Sequence, residues 1–294
     1  MRETIGFAGL GNMGRPIAAN LLASGFSLRV FNRDASKAVP LTAQGATLWA
    51  SPQAAALPGS IFITMLSDDR ALEEVALSRD DLARALGPGG VHVSMSTVSP
   101  AISRRVSVHH ARFGVSYAAA PVFGRPDAAA ARKLWICVSG AGKARERVLP
   151  LLQVLGQGVF DFGEDPGSAN VVKLAGNFML ASAVEAMAEA MALAAKNGVE
   201  DVKLIEMMGQ TLFACPVYQN YGRALVNRNY DPPGFRLALG LKDIGLVLGT
   251  ASESRTPMPL ASLLHDRMMA GVAKGRGDLD WAILGQEVAE QAGL

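Results

Sequence analysis

Cysteine, histidine, aromatic side chains and net charge are all scarce in this chain, and each shortage excludes something. The two cysteines, Cys137 and Cys215, lie far apart. They make neither a disulfide framework nor a metal-ligand spacing, and free thiols suit a reducing compartment. Cys137 sits in an apolar run and reads as core; Cys215 precedes Pro216 and reads as a loop or helix start. The four histidines, His92, His109, His110 and His265, form no HxxxH or HxH pattern, so no metal site is expected. With no GxSxG elbow either, a serine hydrolase is disfavoured. Lys and Arg number 28 against 26 Asp and Glu, and no basic block stands out. Nucleic acid and membrane surfaces therefore have no compositional support as partners. The longest apolar helical stretch, residues 181–195, is interrupted by Glu185 and Glu189 and does not read as a membrane span. No charged-then-apolar leader precedes Thr4, so a cytoplasmic protein is expected.

What is present is a chain of 294 residues, half of them apolar, long enough for a sizeable core and for two domains. The first half alternates short β-like runs (residues 4–8, 28–31, 61–65, 91–94, 115–119, 134–139 and 159–162) with amphipathic helical ones. Short Gly-rich turns separate them. That alternation predicts a doubly wound, mostly parallel sheet covered on both faces. Beyond Pro166-Gly167 only helical patterns remain, at 201–208, 217–226, 237–252, 260–273 and 280–290. The expected organisation is an α/β domain at 1–165 and an all-α domain at 166–294.

A long helix opens the second half. Residues 167–197 contain no breaker apart from one tolerated glycine, with Ser168 as expected N-cap and Asn197-Gly198 as stop. At about 1.5 Å per residue such a helix spans roughly 45 Å. Lys173 and Asn177, four apart, share one face, with Gly176 beside them. A lysine there either performs chemistry or lays its stem on apolar surface.

Gly9-Leu10-Gly11-Asn12-Met13-Gly14 fits GxGxxG between the first strand and first helix, the context that makes the motif informative. In a dinucleotide site Gly9 permits the turn, Gly11 the approach of a pyrophosphate, and Gly14 close helix–strand packing. At the end of the second strand, where an acid would accept a ribose 2′-hydroxyl, stand Asn32 and Arg33, with Lys37 a turn later. A guanidinium beside a neutral side chain suits a 2′-phosphate, so NADP is favoured over NAD; Asp34 argues mildly the other way. Met65 and Leu66 follow a later strand and flank the adenosine side. Ser96 and Thr97 follow another, with hydroxyls placed for the nicotinamide end, while Ser99 caps the next helix.

With these pieces in hand the chain resembles the β-hydroxyacid dehydrogenase family, which includes 3-hydroxyisobutyrate dehydrogenase and the glyoxylate/succinic semialdehyde reductases. The resemblance runs almost end to end. It rests on the glycine motif, Ser96-Thr97-Val98-Ser99-Pro100, Ala120-Pro121-Val122, Gly167 with Lys173 and Asn177, and Phe235 with Lys242-Asp243. It implies a Rossmann domain, a long interdomain helix and an all-α domain that helps form dimers or tetramers. It also implies Lys173 as catalytic acid/base, Asn177 as its orienting or substrate-binding partner, Thr97 and Lys242 as cofactor contacts, and Phe235 near the nicotinamide. The implied reaction moves a hydride between a nicotinamide cofactor and a small 3-hydroxy acid or semialdehyde.

One motif departs. Where the family has Ser-Gly-Gly around the substrate carboxylate, this chain has Phe123, Gly124 and Arg125. Phe123 implies a less polar pocket, Gly124 keeps a backbone approach, and Arg125 is either a carboxylate clamp or surface. Two other readings stay open: an imine reductase on the same scaffold, and a dinucleotide-binding module without catalysis.

Overall fold

The computed structural model describes residues 3–78 and 81–294. The chain divides into two compact units, residues 1–173 and 174–294.

The first unit is a nine-stranded sheet with helices on its faces. In chain order its strands are β1 (Thr4–Ala8), β2 (Ser27–Phe31), β3 (Thr47–Leu48), β4 (Ile61–Thr64), β5 (Val91–Ser94), β6 (Ser116–Ala119), β7 (Val122–Phe123), β8 (Leu134–Gly140) and β9 (Gly156–Asp161). The helices between them are α1 (Gly14–Ala23), α2 (Val39–Thr42), α3 (Pro52–Ala55), α4 (Asp69–Ala76), α5 (Asp81–Leu86), α6 (Pro100–Ala111), α7 (Pro126–Ala130) and α8 (Gly142–Gln153). The spatial order is β3-β2-β1-β4-β5-β6-β8-β7, with β9 on β8. Strands β1 to β6 pair in parallel; β8 runs antiparallel to β6 and β7, and β9 runs parallel to β8. Central strands such as Ile61–Thr64 are buried throughout. That is why they read as continuous apolar runs rather than alternating ones. The strand order reverses between β1 and β4, and ligands of such sheets bind beyond the strand ends at that point.

The second unit is helical: the rest of α9 (Ser168–Lys196), then α10 (Asp201–Gln210), α11 (Pro216–Val226), α12 (Leu237–Ser254), α13 (Pro259–Ala273) and α14 (Leu284–Gln291). Among its described residues the only β pairing is an isolated bridge between Arg236 and Asp280. Its core gathers Leu174, Val184, Met187, Leu237, Ile244, Leu264, Met268 and Trp281. By length and composition α9 could cross a membrane. Its polar residues, however, are bonded as in a core helix: Glu185 is buried and paired with Arg267 at 2.9 Å.

Two expectations need correction. The helical pattern after the first strand spans residues 12–24, but helix α1 begins at Gly14, so Asn12 and Met13 belong to the preceding turn. Ser168 is the first residue of α9 rather than its N-cap: the Ser139 hydroxyl of β8 accepts from Ala169 N at 3.0 Å, and Asp165 Oδ1 accepts from Gly167 N at 3.1 Å. The two compact units divide after Lys173, inside α9 and beyond the compositional boundary at Pro166-Gly167. These bonds tie the first turns of α9, through Lys173, to the sheet unit. Strand β7 and helix α7 were not anticipated; a two-residue strand leaves no periodicity to read.

Candidate active site

The turn after β1 is shaped by its glycines. Gly9 has φ +100, and a Cβ on it would lie 2.2 Å from the Met65 carbonyl oxygen. A Cβ on Gly14 would meet the Gly9 carbonyl at 1.8 Å, so helix and turn close on each other only without side chains. Nothing lies within 4 Å of the Cβ position of Gly11, and no side chain caps the α1 N-terminus. That open cradle before a helix N-terminus without a side-chain cap is what a pyrophosphate needs, and a nicotinamide dinucleotide fits the residues present.

Asn32 stitches this turn to the end of β2. Its Oδ1 accepts from Leu10 N at 2.8 Å, and its Nδ2 donates to the Asp34 carbonyl at 2.9 Å. Leu10 itself is buried. The Asp34 carboxylate accepts from the backbone N–H and hydroxyl of Ser36, which holds its pKa down. The carboxylate is thus occupied as a cap on the turn that follows. Arg33 and Lys37 are exposed and line a cavity of about 730 Å³ together with Gly9, Gly11, Met65 and Leu66. Glu74 and Asp81 also line it.

Ser96 is fully buried, and its Oγ accepts from Leu66 N at 2.8 Å, joining the turns after β4 and β5. Its acceptor is therefore spent inside the protein, whereas Thr97 beside it is half-exposed. Ser99 caps α6 as expected, accepting from Ile102 N at 3.1 Å.

Lys173 is only 8% exposed, and its Nζ lies 4.1 Å from the centroid of the Phe123 ring. The departing residue and the expected acid/base thus meet: an ammonium over an aromatic face is held by the ring quadrupole. Gly124 has φ +136 and packs so closely that a Cβ would lie 2.7 Å from Leu134, so it is needed for the β7–α7 turn itself. Arg125 is half-buried at the start of α7.

In the second unit Asn177, one turn beyond Lys173 on α9, is 3% exposed. Its Nδ2 donates to Asp243 Oδ2 at 2.5 Å, while Lys242 Nζ lies 2.9 Å from Asp243 Oδ1. Asp243 fixes the Asn177 amide so that its carbonyl oxygen points the other way. The sequence reading quoted Asp243 without giving it a role; a carboxylate directly after the lysine was the signal. Phe235 packs edge-on against Trp281, centroids 4.9 Å apart, and its N–H donates to Asp280.

A buried polar chain also escaped the sequence reading. Thr64 Oγ1 and His92 Nε2 are 3.0 Å apart, as are His92 Nδ1 and His110 Nε2. Tyr117 stacks edge-on against His92 and bonds Ser103 at 3.1 Å, and Ser103 donates to Asn170 Oδ1 at 2.8 Å. Burial drives His92 well below its ordinary pKa and His110 down to about 3, and raises Tyr117 to about 12. Asn170 lies one turn before Lys173, so the chain fixes the helix that carries the lysine. Among the described residues no group of histidine, cysteine or acid side chains is placed to hold a metal.

Residues 4–163 match the NAD-binding domain of 6-phosphogluconate dehydrogenase, and residues 167–286 match the NAD-binding domain of NADP-dependent 3-hydroxyisobutyrate dehydrogenase. The chain belongs to the β-hydroxyacid dehydrogenase family. It is 42% identical to an uncharacterised oxidoreductase of Bacillus subtilis, over 95% of this chain and 98% of that one. It is 32% identical to the NAD-dependent L-serine dehydrogenase of Pseudomonas aeruginosa, over 96% of each. Among solved structures, Mycobacterium tuberculosis 3-hydroxyisobutyrate dehydrogenase with L-serine superposes with a TM-score of 0.89 at 28% identity, covering 97% of this chain and 99% of that one. This member of the family is an NAD(P)-dependent oxidoreductase acting between a hydroxyl and a carbonyl group.

Proposed function

We propose that this dehydrogenase interconverts a small 3-hydroxy acid and its semialdehyde, using NADP in preference to NAD, with Lys173 as general acid and base. The observation that carries this reading is the state of Lys173: an amine almost out of water, on an aromatic face, one helical turn from a carboxylate-fixed amide. A nicotinamide cofactor, which the Gly9–Gly14 turn would hold by its pyrophosphate, would supply or accept the hydride. The chain's own residues do the rest. In reduction the Lys173 ammonium gives its proton to the oxygen of the carbonyl becoming an alcohol; in oxidation the neutral amine takes it back. Asn177, held by Asp243, orients the hydroxyl or carbonyl oxygen. Thr97 and Lys242 steady the cofactor, and Arg33 with Lys37 receives the 2′-phosphate, while the Asp34 carboxylate is engaged by Ser36.

The exposed apolar side chains of the second unit, Met179, Leu193 and Leu212, support a homodimer or homotetramer. The two free cysteines support a cytoplasmic location.

The test is Lys173→Ala assayed with a panel of semialdehydes, keto acids and cyclic imines. General acid–base catalysis is worth about 10²- to 10⁴-fold, so kcat should fall by that factor while NADPH binding is retained. Activity within a few-fold of wild type would remove Lys173 from the mechanism, and turnover confined to imines would replace the carbonyl reaction.

A further inference from the structure

Beside Lys173 the sheet presents an aromatic face whose only tie to the reaction so far is Phe123. Strands β7 and β8 pair with Phe123 directly opposite Trp135, which puts both side chains on one face. Trp135 is 45% exposed, although the other six residues of β8 are buried. Opposite it on β9 stands Gly158, where a Cβ would lie 2.6 Å from the indole; the missing side chain lets the ring lie across the strand. There it meets Phe160, centroids 5.9 Å apart and itself 51% exposed. The three rings occupy three neighbouring strands, about 4.8 Å apart each, so the strip extends roughly 10 Å outward from the Lys173 amine.

We propose that this strip is a substrate subsite, and that the hydroxy acid it accepts carries a bulky apolar group, aryl or branched alkyl, on the carbon between the hydroxymethyl and the carboxylate. The inference rests on the proposed reaction at Lys173 and names the substrate class of that site. Two arguments carry it. The ring under the lysine offers no donor to a carboxylate, so whatever lies against β7 next to the reacting carbon is apolar. The strip also adjoins the amine: Phe123, under Lys173, is paired in register with Trp135, so a group passing from β7 across to β8 meets Phe123 first and Trp135 next. Phe123 is thus the residue that determines specificity, and Trp135 extends the surface that it begins.

The test uses three stable alcohols differing only in that substituent: 3-hydroxypropionate, 3-hydroxyisobutyrate and 3-hydroxy-2-phenylpropionate, oxidised with NADP+. For wild type, kcat/KM should rise along the series, by about tenfold or more from hydrogen to phenyl, since a filled apolar pocket discriminates on that scale. Phe123→Ser should level the series, and Trp135→Ala should lower the phenyl compound alone. A wild type that prefers 3-hydroxypropionate, or variants that leave the ratio unchanged, overturns the subsite while turnover of the series still supports the Lys173 reaction. Trp135→Ala that dissociates an oligomer without changing the ratio also overturns it, by making the strip a protein interface. Calorimetric binding of the three acids to the NADPH-loaded enzyme, which cannot turn them over, separates the remaining case. Tighter, Phe123-dependent binding of the phenyl acid without catalysis keeps the subsite and removes the reaction; no discrimination in binding or turnover removes the subsite.

Discussion

Acid should loosen the sheet unit through two buried imidazoles, and the size of the effect follows from the structure. His92 and His110 are wholly inaccessible and bonded to each other at 3.0 Å, with Thr64 at the far end. The chain Thr64–His92–His110 closes with both rings neutral. A second proton on either ring brings a charge into the sheet core with no carboxylate bonded to it. Burial, then His109 beside it in the chain, accordingly depresses His110 to about 3 from an ordinary 6.5. A folded-state pKa below the unfolded one means that the unfolded chain binds more protons in that window. The associated stability is complete above about pH 6.5 and falls as pH drops toward 3.

Each unit of pH within that window removes about 1.4 kcal/mol per site, so at pH 4.5 His110 alone costs on the order of 3 kcal/mol. His92 acts in the same direction. Against a total stability of about 5–15 kcal/mol for a domain this is a large fraction. Urea unfolding at pH 7, 6, 5 and 4.5, followed by hydrogen exchange of peptides covering β5 and α6, measures it. His110→Gln keeps a polar side chain but removes the titration; it should be less stable at pH 7 and show a shallower pH slope. An equal slope in wild type and variant would refute the assignment, because the loss would then come from other groups.

Other perturbations probe the remaining sites. Arg33→Ala should weaken NADPH by about 10- to 100-fold, the worth of charge-assisted hydrogen bonds, and leave NADH unchanged in titrations monitored by cofactor fluorescence. Asp243→Asn removes the charge that pairs with Lys242 and leaves one amide oxygen in place of a carboxylate to accept from Asn177; kcat should fall by about tenfold or more, with the pH profile of kcat moved, while the thermal midpoint changes little. In the helical unit the sign of the pH effect reverses. Burial raises the Glu185 carboxyl to about 7 despite Arg267, so its share of stability is complete below about 4.5 and is lost as pH rises through 7. The change is on the order of 3 kcal/mol, and Glu185→Gln should flatten the pH 5–8 slope of unfolding for α9 and α13 by hydrogen exchange.

How much could be read in advance depended on the range of the signal. The glycine turn, the alternation of β1 to β6 with their helices and the spacing of Lys173 to Asn177 are local patterns, and each appears where local chemistry put it. The joins between distant segments left no such trace. Ser139 capping α9, Ser96 holding Leu66, and His92 meeting His110 each depend on which strands lie side by side, which no single segment encodes. The same holds at Asp243: its position beside Lys242 was visible, its bond to Asn177 across 66 residues was not.

Phe123 shows most sharply where the two kinds of information part. Its identity was legible and already argued for a less polar pocket, but the face of the sheet that it takes was not. What decides that is the pairing of a two-residue strand, too short to carry a period, with β8. That pairing sets Trp135 opposite Phe123, and the absent side chain of Gly158 then lets the indole lie flat. Three residues that are unremarkable singly become one surface only through register. A one-residue slip of β7 would turn Phe123 to the opposite face and take the aromatic ring from under Lys173. The amine's environment, and with it the substrate's apolar group, therefore rests on the β7–β8 register as much as on the lysine.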